Sequence, residues 1–151
     1  MVILRGKDGI KAHVGKDLGA GSYAVLTQGR IDQFAEATGD RQWIHVDPDR
    51  AKAGPYGKTI AHGLLTLSMI GDLVKDVFRF EGFKMGLNYG YEKIRFPSPA
   101  PVDSRLRARA QILSCEEVAG GAIQTVMGLT MEIEGSAKPA CVASMIFRHV
   151  P

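Results

Sequence analysis

The period of hydrophobic positions along the chain changes once, near residue 80. Before that point the apolar residues recur at helical spacing. Ile31, Phe34 and Ala35 share one face between Thr27, an N-cap residue type, and Gly39, a helix stop, which predicts a helix over about 28–38. Asp47-Pro48 gives a second entry signal and a short helix through about Ala53, broken by Gly54-Pro55-Tyr56-Gly57. The longest strongly apolar run follows, entered at Thr59 and continuing through His62, Gly63 and Leu64 to Phe78. Asp72, Lys75 and Asp76 interrupt it and it is too short to span a bilayer, so it reads as a central helix buried on nearly all sides. Ser22 to Leu26 reads as a short strand. Residues 10–19 offer two glycines and a turn, and Asp40 to Val46 has neither period and reads as an irregular loop.

Beyond about Phe80 the pattern alternates. Leu87 to Phe96 predicts a strand closed by the proline-rich stretch Pro97 to Pro101. Leu106, Ala108, Ala110 and Ile112 then alternate with Arg105, Arg107, Arg109 and Gln111, one face for the core and one for water. The arginine row reads as a solvated face rather than a ligand stripe. Gly120-Gly121 turns the chain into a strand from Ile123 to Ile133, and residues 135–139 turn it into a last strand from Ala140 to Arg148. Helices and strands that segregate in this way predict an α+β fold, one curved antiparallel sheet wrapped around a long central helix: a hot-dog arrangement.

Composition narrows the class. The 151 residues fit one domain spanning 1–151, and 45% hydrophobic content fits a globular chain. The net charge of +3 is dispersed rather than clustered, which argues against nucleic acid as a partner and leaves a phosphate-bearing small molecule open. Lys84, Lys93 and Arg95 are candidates for such phosphates, though each also reads as an ordinary surface cation. Cys115 and Cys141 both fall in expected strands and read as buried thiols, and no metal-ligand spacing is present. The first residues lack the apolar stretch of a signal peptide, so a cytoplasmic protein with no membrane partner is expected.

Two places can carry chemistry. Asp40 lies just past a helix end and His45 five residues later, so a carboxylate and an imidazole can turn toward one water and move its protons. The same residues also fit a turn cap and a structural hydrogen bond. The second place is the start of the central helix, where the amide of Gly63 has no intrahelical acceptor and can bind an oxyanion. Gly63 equally fits a site that merely relieves crowding, and His62 a packed or capping residue.

Taken in order, Ala37-Thr38-Gly39-Asp40, His45, Ala61-His62-Gly63 and Arg95-Phe96-Pro97 resemble the MaoC-like dehydratase family, which includes the R-specific enoyl-CoA hydratases. The resemblance covers the chain from about residue 15. It implies a hot-dog homodimer that adds water reversibly to a trans-2-enoyl thioester, carried by CoA or acyl carrier protein, to give the R-3-hydroxyacyl thioester. It places the catalytic acid at Asp40, the catalytic histidine at His45 and the oxyanion-hole amide at Gly63, with no metal and no cofactor beyond the thioester substrate. Gln42-Trp43 stands where many members have Asn-Pro and resembles the nodulation-protein-N-like branch. Gln42, Trp43 and His62 are then candidate substrate contacts, the acyl chain lying between the central helix and the Trp43 loop. A hot-dog thioesterase and a non-catalytic subunit that binds an acyl ligand or a partner are the alternatives.

Overall fold

The change of period near residue 80 marks the passage from helices to long strands. In the computed structural model, which describes residues 1–151, the elements in chain order are β1 (Val2–Arg5), α1 (Gly6–Lys11), β2 (Asp17–Ala20), β3 (Ala24–Val25), α2 (Gln28–Thr38), α3 (Trp43–Val46), α4 (Pro48–Lys52), α5 (Gly63–Leu73), β4 (Phe78–Glu81), β5 (Met85–Arg95), β6 (Arg105–Glu117), β7 (Ile123–Ile133) and β8 (Cys141–Val150). The main sheet is antiparallel in the order β2-β6-β7-β8-β5, with β3 also paired to β6. Alternation fixes its register: Ala108 faces Met131, and Leu129 faces Ala143, so the apolar sets share one face.

That face carries the central helix. Leu65, Met69, Ile70 and Leu73 of α5 are buried in one cluster with Leu106, Ala108, Ala110, Met127, Leu129 and Ala143. The alanines at the contact let the helix approach the sheet closely, which favours dense packing. The result is the α+β hot-dog arrangement expected, with an open sheet. No helix is long and apolar enough to cross a membrane. On the outer face Arg105 pairs with Glu134, Arg107 and Arg109 with Glu132, and Arg109 also with Asp17. The arginine row is therefore neutralised across strands at the surface. Cys115 and Cys141 are both free thiols. Burial pushes both upward, Cys141 to about 11, which makes them poor nucleophiles.

Several expectations change. The central helix is shorter than the apolar run: it ends at Leu73, and Phe78 already belongs to β4. Nor is it buried all round, since Leu64, Ser68 and Gly71 are exposed along one flank. Thr59 does not cap it; His62 stands at that position without a side-chain cap bond. Residues 10–19, read as two glycines and a turn, hold the end of α1 and most of β2, and β1, before them, pairs in parallel with β4 in a separate two-stranded sheet. The short strand expected over 22–26 shrinks to Ala24–Val25.

Candidate active site

The acid side of the site begins where α2 stops. The Thr27 side chain accepts the Arg30 N–H at the start of α2, and Gly39 ends the helix at φ 77°, a left-handed turn that glycine takes without strain. The chain then swings out to Asp40. Arg41 folds back onto Glu36 through two bonds of 2.8 Å, which holds the turn. The stretch expected to be irregular contains α3, one turn of helix from Trp43 to Val46. That turn aims His45 inward. The expected short helix follows as α4, with the Asp47 side chain accepting the Arg50 N–H and Pro48 in the first turn.

His45 is 6% exposed, and its Nδ1 lies 2.7 Å from the Ile60 carbonyl. A carbonyl only accepts, so Nδ1 carries the hydrogen and Nε2 keeps its lone pair. Burial holds the imidazole below its usual pKa; a charge on His62 acts in the same sense, while the Ile60 bond and Asp40 oppose it. His45 is therefore set up as a neutral base. The His62 ring stacks on it with centroids 3.8 Å apart and planes 24° apart, and His62 Nε2 donates to the Asp40 carbonyl at 2.9 Å. The Asp40 side chain is exposed, and its Oδ1 accepts the Gln42 N–H at a long 3.4 Å.

One ligand-type atom each from Asp40, His45 and His62 lies within 4.8 Å of the others, a cluster that sequence spacing did not reveal. As a donor set, two histidines and a carboxylate suit a divalent cation. The stacking opposes it: imidazole lone pairs lie in the ring planes, and near-parallel rings 3.8 Å apart do not converge on one ion at bonds of about 2 Å. The geometry suits shared proton transfer better.

Gly63 supplies the other side. It opens α5 and shares a cleft of about 290 Å³ with His45, Tyr56, Ile60, Thr66 and Phe96. As the first residue of the helix, its N–H has no intrahelical acceptor and sits at the positive end of the dipole. A Cβ on Gly63 would meet the Phe96 ring at 2.9 Å, so any larger residue there requires that exposed ring to shift from the cleft wall.

The other sequence candidates are placed differently. Trp43 packs its ring against Gly54 and under the Arg50 guanidinium, 4.4 Å from the ring centre. Neither it nor Gln42 lines the cleft. His62 is buried and stacks on His45, and neither it nor Asp40 lines the cleft. Lys84, Lys93 and Arg95 are exposed.

Gln28 was not singled out by the sequence. Its Nε2 donates to the His45 carbonyl at 2.7 Å and to Asp32 at 2.9 Å, and its Oε1 accepts the Thr59 hydroxyl at 2.6 Å. One side chain thus braces α3 against the segment leading into α5. The only local sign was a long amide side chain at the start of a helix whose partners lie far along the chain. Gln28→Leu leaves the buried Thr59 hydroxyl without its acceptor, and should cost about 1–3 kcal/mol of stability in denaturant unfolding.

An antiparallel sheet carrying one helix defines a hot-dog protein, and the Asp40 and His45 cluster is its candidate acid–base site. The model described as "MaoC like domain" matches residues 10–133. A 3-hydroxyacyl-thioester dehydratase Z of Mycobacterium tuberculosis is 47% identical over 141 residues, 93% of each chain. Nodulation protein N of Rhizobium meliloti is 38% identical over 139 residues, 91% of this chain and 86% of that one. Among solved structures, an (R)-hydratase from A. caviae superposes with a TM-score of 0.68 at 19% identity, covering 87% of this chain and 96% of that one. The chain belongs to the MaoC-like dehydratase family, a family of lyases.

Proposed function

We propose that this chain catalyses the reversible addition of water to a trans-2-enoyl thioester, giving the R-3-hydroxyacyl thioester. The observation that carries the reading is His45: a buried imidazole whose Nδ1 is held by the Ile60 carbonyl, which clusters with Asp40 and shares a cleft with Gly63. Asp40 and His45 hold one water. As its oxygen bonds to C3, one water proton passes to the pair and the C2–C3 π electrons move onto the thioester oxygen. The Gly63 N–H receives that developing charge. The enolate then collapses, C2 takes a proton from the pair, and the pair ends as it began. The dehydratase name of the 47% identical relative supports the substrate class; the R hand follows the family resemblance.

The carrier is CoA or acyl carrier protein, the compartment is the cytoplasm, and the working unit is a homodimer. The β5 edge supports the last point. It is 11 residues long, pairs with β8 on one side alone, and exposes Met85, Leu87, Tyr89 and Tyr91. A long apolar edge of this kind invites pairing with a second copy. Analytical ultracentrifugation should give twice the chain mass. The activity test follows loss of the conjugated enoyl absorbance of crotonyl-CoA and longer enoyl-CoAs. Hydration to the R product supports the reading. Thiol release from a saturated acyl-CoA would indicate a thioesterase, and binding without turnover a non-catalytic subunit.

A further inference from the structure

One buried imidazole has no part in the reaction as written. His62 is 4% exposed, packs 4.9 Å from Phe34 and 3.8 Å from His45, and donates from Nε2 to the Asp40 carbonyl. Because that carbonyl only accepts, Nε2 carries the hydrogen, and in the neutral ring Nδ1 keeps a lone pair. Nδ1 is buried with no hydrogen-bond partner. A buried acceptor without a donor is costly, and a phenylalanine here would fill the same space beside His45 without that cost. Packing alone therefore does not account for a histidine.

We propose that His62 is a positioning residue for hydration: it ties the Asp40 loop to the N-terminus of α5 and keeps His45 uncharged. The inference rests on the hydratase reading above. The tie is geometric. His62 directly precedes Gly63, so its bond to the Asp40 carbonyl links the acid loop to the oxyanion amide, while its stack sets the plane of the base. One side chain thus holds all three groups in register, and small displacements of such groups are expensive in rate. The charge argument is separate. Two imidazolium rings in contact repel strongly in a buried setting, so a proton on His62 opposes one on His45. The charged or titratable groups bearing on His45 are His62, from the entrance to α5, and Asp40, from the loop. The segment before α5 contributes the Ile60 carbonyl to His45, and α2 contributes Phe34 to His62; neither titrates.

Two variants separate the roles. His62→Phe keeps an aromatic ring against His45 and removes the donor. His62→Gln keeps an N–H able to reach the Asp40 carbonyl and removes the second imidazole. On crotonyl-CoA, His62→Phe should lose about ten- to a hundredfold in kcat, with KM little changed and Tm not lowered. His62→Gln should recover most of kcat. Its acid limb in kcat/KM against pH should move to higher pH, because His45 then protonates without an opposing neighbour. A purely structural histidine would lower Tm and leave that limb in place. Wild-type kcat in both variants, or an unshifted acid limb in His62→Gln, would overturn the inference while the hydratase reading stands on wild-type turnover. A wild type inactive on every enoyl-CoA would remove the hydratase reading and this inference with it.

Discussion

His45→Gln should lose about 10³-fold or more in kcat for enoyl-thioester hydration, and Asp40→Asn a similar amount, with both variants folded. Glutamine keeps a polar group near the imidazole's place but has no lone pair basic enough to take a proton from water. Asparagine is nearly isosteric with Asp40, whose carboxylate is exposed, so the fold should not register the change. His45→Gln disturbs the 2.7 Å bond to the Ile60 carbonyl and should cost about 1 kcal/mol of stability, too little to unfold a domain. Because the two groups act on one water, the double variant should be barely slower than either single one. The pH profile gives an independent reading. His45 must be unprotonated to act as a base, so kcat/KM rises as pH climbs through its pKa. Burial holds that pKa down, which places the acid limb below the ordinary histidine value of about 6.5. Folded variants that retain full hydration would remove Asp40 and His45 from the chemistry.

Features encoded within a few residues were legible, and features made by distant pairing were not. Thr27, Gly39 and Asp47-Pro48 act locally, and the ends of α2 and α4 fall where those residues put them. Alternation in Leu106 to Ile112 and in Ile123 to Ile133 fixed both strands and their inward faces, because period 2 and burial are one constraint there. The pair β1 and β4 is different. Val2 meets Phe78 only after the intervening chain has folded, and a parallel pairing leaves no hairpin signal between its strands. Thr59 has the chemistry of a cap, but its hydroxyl is taken by Gln28, a competition invisible from either residue alone. The central apolar run was overread for a related reason. Hydropathy counts residues that avoid water without saying which partner covers them, and Leu64 and Gly71 face outward while Leu65 and Ile70 face the sheet. At the site, the spacing from Asp40 to His45 suggested a pair; the stack of His62 on His45 needed the fold.

Acidification should weaken the fold through His149 by about 3 kcal/mol between pH 6.5 and 4. The residue is 2% exposed among Phe80, Phe83 and Phe147, and its Nε2 is buried without a partner. Nothing there compensates a charge, so burial pushes its pKa down to about 4. In the unfolded chain it titrates near 6.5. Between those values the unfolded state binds a proton that the folded state does not, so stability rises with pH across the window. The contribution is complete above about 6.5 and lost once the pH has fallen through about 4. His45, also held down by burial, adds a smaller effect of the same sign. Carboxylates titrate in part of this range too, so the decisive quantity is a difference between proteins. Denaturant unfolding of the wild type and of His149→Phe at pH 7 and pH 4.5 isolates it. Phenylalanine suits an aromatic surround and cannot take a proton, so the variant should lose much less stability on acidification than the wild type, whatever its stability at pH 7. Equal losses in the two proteins would show that His149 takes up its proton in the folded chain as readily as in the unfolded one.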